Sequence, residues 1–202
     1  MPPDARPIPR FIAEPPHDSF PYGRWAEQLG QLFLEACDRI ESDEEIGHAK
    51  HITWFPDRTF QGRTYIPATA PTENGLELFG YVSFERAGDG NPTELAARAD
   101  YTDETAENNP GWQLDLSEEE IERWTGPRNL AGAVALVWGV ALVTGGAIAT
   151  AELGPTTTDQ CELVEQRFTL VSLDSWTGDL LEVHLWDAKG GELASESLYE
   201  ED

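Results

Sequence analysis

The sequence predicts an α+β protein: an N-terminal helix packed on a small antiparallel sheet, followed by a mostly antiparallel, sandwich-like β domain. Three observations carry that reading. Trp25, Leu29, Leu32, Phe33, Ala36 and Ile40 recur at the spacing of one helical face. Short apolar runs punctuated by Pro, Gly and Asn fill most of the remaining chain, as strands and turns do. The uncharged stretch at 130–151, LAGAVALVWGVALVTGGAIATA, sorts large and small residues onto alternate positions. Seven Trp and eight Phe in 202 residues argue against a disordered chain.

Residues 1–22 hold seven prolines and read as an extended arm, with Ile8, Phe11, Ile12 and Phe20 free to dock on the core or on a neighbour. No apolar core of signal-peptide length is seen there. The helix is expected from Gly23 to about Ser42, ahead of the acidic run Glu41, Asp43, Glu44, Glu45. Strands are expected at 51–55, 63–66, 76–84 and 95–101, the first two stopped by Pro56 and Pro67. Asn74-Gly75 marks a hairpin. The 76–84 run is apolar on both faces, as a central strand covered on one side by the preceding helix would be. Residues 23–107 therefore form one α+β domain.

The segment 108–127 reads as a linker containing a short helix. Ser117 and Glu120 have the spacing of a capping box, with Leu116 and Ile121 as the hydrophobic staple. Residues 128–202 form the β-rich domain. Within 130–151, Val134, Leu136, Trp138, Val140 and Leu142 alternate with small residues. The alternation resumes beyond Gly145-Gly146, which favours a buried β-hairpin over a single membrane span. Further strands are expected at 161–173, 180–186 and 192–199, the last two joined by a turn over 187–191.

The phrase GDLLEVHLWDAKGGELASESL, with its alternating apolar residues and Asp-x-x-Gly turn, resembles the closing strand pair of bacterial immunoglobulin-like sandwich domains. The likeness covers about twenty residues, and the Cys-Trp-Cys hallmark of true immunoglobulin domains is absent. It implies a non-enzymatic scaffold or recognition module.

Charge narrows the function classes. With 38 acidic against 13 basic residues the net charge is −25, which excludes a phosphate-neutralising nucleic-acid surface. The acidity is either that of a well-solvated surface or a face for a basic partner. Cys37 and Cys161 are too few and too distant for a disulfide framework or a metal cluster, and they suit the reducing cytoplasm. Nucleotide, P-loop and nucleophile-elbow motifs are missing, so no cofactor and no metal are expected. Glu45, His48 and His51 lack a common helix face for a metal ion. Asp174, Asp179 and Asp187 read as turn formers rather than Ca²⁺ ligands. The best candidate binding patch is Trp54, Phe55, Arg58, Phe60, Arg63 and Tyr65, the aromatic and arginine mixture favoured at protein interfaces.

The expectation is a cytoplasmic, non-catalytic protein working by protein binding or self-assembly. It would be an oligomer or a subunit of a larger complex, such as a phage virion or tail-like particle assembled in the cytoplasm. Two alternatives are an acidic inhibitor or immunity-type protein for a basic partner, and a hydrolase using carboxylates that converge in a cleft.

Overall fold

The computed structural model describes residues 20–126 and 131–199. Most of the expected Pro-rich arm, residues 1–19, lies outside that range. Phe20 is described, and the Arg167 guanidinium sits 4.0 Å from its ring centre.

Helix α1 (Gly23–Cys37) buries Leu29, Gly30, Phe33 and Ala36 along the expected stripe. It ends before the acidic run, where Arg39 donates to the Glu35 carbonyl at 2.8 Å and satisfies one of the free carbonyls of the last turn. Strands β1 (Thr53–Trp54), β2 (Arg58–Phe60), β3 (Arg63–Pro71), β4 (Glu77–Arg86) and β5 (Pro92–Thr102) follow. They form one antiparallel sheet in the order β1-β3-β4-β5, with β2 also on β3.

The Asn74-Gly75 turn joins β3 to β4 as expected, closed by Thr72 N–H donating to the Leu76 carbonyl at 2.8 Å. Strand β3 does not stop at Pro67. That residue's carbonyl accepts from Phe55 N–H on the β1 side, so its missing N–H also lies there, just past the end of β1. The ladder to β4 therefore loses no bond.

Both faces of β3 and β4 are covered. Ile66, Ala68, Ala70, Leu78, Val82 and Phe84 share a buried cluster with Leu29 and Phe33, and Trp25 meets Phe84 edge-on at 5.4 Å. Tyr65 and Tyr81 point the other way, into a larger cluster that contains the core of the C-terminal strands. That cluster runs across the boundary expected at 107/108.

The second half is wholly strand: β6 (Leu114–Thr125), β7 (Ala131–Ala141), β8 (Gly146–Leu153), β9 (Thr156–Glu162), β10 (Arg167–Leu173), β11 (Ser175–Trp176), β12 (Asp179–Asp187) and β13 (Glu192–Ser197). One sheet runs β10-β7-β6, another β11-β12-β8-β9 with β13 on β12, all antiparallel. The hairpin expected between 180–186 and 192–199 is present.

Two expectations are corrected. Residues 117–124 are not a helix but the centre of β6, paired along β7. So short a helix would be marginal alone, and pairing with β7 supplies hydrogen bonds along the whole segment. The register slips between Glu120 and Glu122, leaving Ile121 as a bulge. The second correction concerns 130–151. The period of two is real, but β7 and β8 do not pair with each other. Strand β7 lies between β6 and β10, and β8 between β9 and β12, so the Gly-containing break is a crossing between sheets. Leu130 itself lies outside the described residues, and no described helix is long and apolar enough to cross a membrane.

Candidate functional site

The six residues expected as a surface patch are instead placed along an internal seam. Trp54, Phe55, Arg58, Phe60 and Tyr65 are all buried. Trp54 packs near Phe33, at 6.4 Å between ring centres, on the helix side. Phe55, Phe60 and Tyr65 belong to the larger cluster, and Tyr65 meets Tyr81 edge-on at 5.4 Å. Arg63 alone reaches outward, holding the Glu94 carbonyl with two N–H groups at 3.0 and 3.1 Å.

Residues 54–58 are fastened to the C-terminal strands by polar bonds. Arg167 donates to the Trp54 carbonyl at 2.6 Å, and Thr169 Oγ1 to the Pro56 carbonyl at 2.6 Å. Arg58 forms an ion pair with Asp159 and donates to the Gln160 carbonyl at 3.2 Å. The aromatic and arginine residues of this stretch thus join the two halves.

Beside the seam lies a cavity of about 220 Å³, bounded by His51, Thr53, Phe55, Thr69 and Glu77 from one half and Asp115, Ser117 and Trp138 from the other. Burial, and then the neighbouring Asp115 charge, pushes the Glu77 carboxyl up to about 7. Burial also raises Asp115. The indole N–H of fully buried Trp138 has no acceptor among the described residues.

A second feature is an acidic groove of about 320 Å³. Asp100 of β5, Glu118, Glu119 and Glu120 of β6, and Asp174 after β10 meet there over Phe79, Ala133 and Ala135, with Tyr199 at one side. The Tyr199 hydroxyl donates to Glu118 Oε2 at 2.7 Å. Burial raises Glu118, which the Tyr199 bond partly offsets, and burial raises Glu119 against the pull of Arg98. Arg98 stands 3.8 Å from Glu119 and donates to the Glu120 carbonyl at 3.1 Å.

Other candidates carry less. Asp187 is engaged by its own turn, accepting from Lys189 and Gly191 N–H at 2.7 and 2.8 Å. Among the described residues no three His, Cys, Asp or Glu side chains gather as a metal site, so Glu45, His48 and His51 are not brought together. Burial pushes the Cys37 and Cys161 thiols up to about 12, which leaves neither ionised at neutral pH. A wider hollow of about 560 Å³ is lined by Gly154, Gly178, Asp179, Glu182 and Ser197 and shares Tyr199 with the acidic groove.

Sequence reasoning passed over Glu77, Asp115, Glu118, Glu119 and Tyr199, and it read Asp174 as a turn former and Glu120 as part of a capping box. The one available signal was the alternation of Leu114 and Leu116 with Asp115 and Ser117, which reads as a strand once the capping-box signature is set aside.

No protein-family model, no curated protein and no solved structure matches this chain.

Proposed function

We propose that this is a non-catalytic protein-binding protein whose acidic groove receives a basic segment of a partner. The observation that carries the reading is the convergence of Asp100, Glu118, Glu119, Glu120 and Asp174 in one groove that Phe79 also lines. A guanidinium or ammonium entering there would meet Glu118 and Glu119, whose ionisation burial opposes, and it would relieve that opposition. The overall charge of −25 would steer a basic partner toward the molecule.

Pairing with a basic partner fits the fold better than stacking of identical copies. The outer strands β5 and β6 carry Glu94, Asp100, Glu119, Glu120 and Glu122, and two such edges repel each other. On this reading the C-terminal sheets form a sandwich-like support, in keeping with the resemblance of residues 178–198 to immunoglobulin-like closing hairpins. The helix-backed first sheet then braces the groove from the β5 side.

The test is titration with an arginine-rich peptide and a neutral peptide of equal length. Binding of the basic peptide is expected to weaken steeply with salt and to fall about tenfold or more in the Glu118→Gln, Glu119→Gln variant. Equal binding of both peptides, or indifference to the double substitution, would reject the proposal.

A further inference from the structure

Strand β5 closes the first sheet on the side of the acidic groove, and β4 is its one pairing partner among the described strands. Main-chain groups alternate between the two edges of a strand. In β3 the Pro67 and Pro71 carbonyls face the β1 side, accepting from Phe55 and Lys50 N–H at 3.0 and 2.9 Å. Ile66, Ala68 and Ala70 therefore face β4, and through that register Phe79, Tyr81 and Ser83 face β5. Their partners Asp100, Arg98 and Ala96 bond inward, which leaves Ala97 and Ala99 with N–H and carbonyl directed away from the sheet. The Arg98 carbonyl would overlap a Cβ at Gly80 on β4, so it does point inward. No described group bonds the outward N–H or carbonyl of Ala97 or Ala99. From Leu95 to Thr102 the strand has neither lysine nor proline, two residues that commonly blunt such an edge. The open stretch ends at Tyr101, whose N–H donates to Asp100 Oδ1 at 2.8 Å.

Side chains decide what an added strand must carry. Ala97, Ala99 and Tyr101 lie on the α1 face of the sheet. Arg98 and Asp100 lie on the opposite face, where Arg98 reaches Glu119 and the Glu120 carbonyl, and Asp100 lines the groove with both residues. A strand laid beside β5 sends every second side chain onto that same face. We infer that the basic partner segment binds as an extended strand antiparallel to the free edge of β5, bonded to Ala97 and Ala99, with a basic side chain opposite Asp100 entering the groove.

This rests on the groove's receiving a basic segment, and it adds that segment's conformation, edge and register. Main-chain bonds to Ala97 and Ala99 hold the strand, and alternate side chains select it. The residue opposite Arg98 is uncharged, because like charges directly across a strand pair repel. The next groove-facing position lies opposite Ala96, so the two basic positions are four residues apart.

The experiment follows amide hydrogen exchange at Ala97 and Ala99 by NMR in the full chain. The probe is a seven-residue threonine peptide with arginine at its second and sixth positions, which sets one arginine opposite Asp100 and a threonine opposite Arg98. Saturating peptide is expected to slow exchange at both alanines at least tenfold and to leave Arg98, already bonded to β4, unchanged. N-methylation at peptide positions three and five, whose N–H groups face β5, should weaken binding at least tenfold. N-methylation at position four, whose N–H faces away, should not. Ala99→Pro removes an outward N–H and spares the β4 ladder, so it should weaken binding at least tenfold with the thermal midpoint little changed. Exchange at the two alanines that is already slow without peptide, or that peptide leaves unchanged, overturns the inference. So do equal effects of the two methylation patterns. Binding lost in the Glu118→Gln, Glu119→Gln variant but indifferent to methylation and to Ala99→Pro overturns strand addition and leaves the groove reading standing. A peptide that does not bind at all removes both. Should Ala99→Pro fail to fold, the methylated peptides on the unmodified protein still decide.

Discussion

Arg58 and Asp159, 101 positions apart in the chain, form an ion pair whose side chains are only 3% and 8% exposed. Asp159 also accepts from two backbone groups at 2.9 Å each, Gln160 N–H on Oδ1, the oxygen Arg58 uses, and Val171 N–H on Oδ2. A buried pair of this kind is costly to break because it strands a charge. Arg58→Met is expected to destabilise the protein by about 3 kcal/mol, read from the urea midpoint. Adding Asp159→Asn should restore part of that loss, because the amide is neutral and still accepts from Val171 N–H. A double variant less stable than Arg58→Met alone would show that the charge is not what matters.

Glu77 sets a dependence of stability on pH. Its carboxyl is raised to about 7 in the folded protein, above an ordinary unfolded value near 4.5, so the folded state holds the proton more tightly. The stabilisation from that proton is full below about pH 4.5 and is lost as pH rises toward 7. The loss is on the order of 3 kcal/mol. Glu77→Gln should cancel this part of the slope, so its thermal midpoint gains on the unmodified protein between pH 5 and 8. Parallel curves for the two proteins would contradict the assignment.

Backbone conformation gives a third prediction. Thr177 and Gly178 both have positive φ, 52° and 100°, in the tight turn between β11 and β12. A β-branched residue is poorly suited to that region, whereas Asn-Gly is the favoured pair for such a turn. Thr177→Asn should stabilise by about 1 kcal/mol, measured as a higher thermal midpoint. Gly80→Ala should do the reverse, since a Cβ there would overlap the Arg98 carbonyl on β5. A loss of about 2 kcal/mol or more is expected.

Tyr199→Phe removes the hydrogen bond that helps Glu118 ionise. Stability at pH 7 should fall by about 1–2 kcal/mol. Glu118 should then titrate at still higher pH, a change visible in its side-chain carboxyl NMR shift.

Much of the secondary structure was legible because local patterns and tertiary partners agreed. The stripe of α1, the Asn74-Gly75 turn, and the alternation through Leu181, Val183 and Leu185 each name the side that ends up buried. Ser117 to Ile121 misled for the opposite reason: a genuine helix-start signature lies in a segment whose partner strand begins at Ala131 and outweighs it. Trp54 to Tyr65 was recognisable as a dense aromatic cluster, yet its burial depends on Asp159, Arg167 and Thr169, about a hundred positions further on. The groove and cavity carboxylates could not be picked from 38 acidic residues, because only convergence in space distinguishes them.

The crossing from β7 to β8 has a consequence for how the chain reaches this state. Each strand pairs on one side with a chain neighbour, β7 with β6 and β8 with β9, and on the other side with a distant strand, β10 or β12, so the two C-terminal sheets are threaded by one continuous segment. The hairpins β6-β7, β8-β9 and β12-β13 can form early, but joining them waits on the distant β7-β10 and β8-β12 pairings, which slows folding toward the milliseconds-to-seconds regime of non-local β topologies. The same threading makes the two sheets a single cooperative unit, whose central amides should exchange hydrogen only through global unfolding.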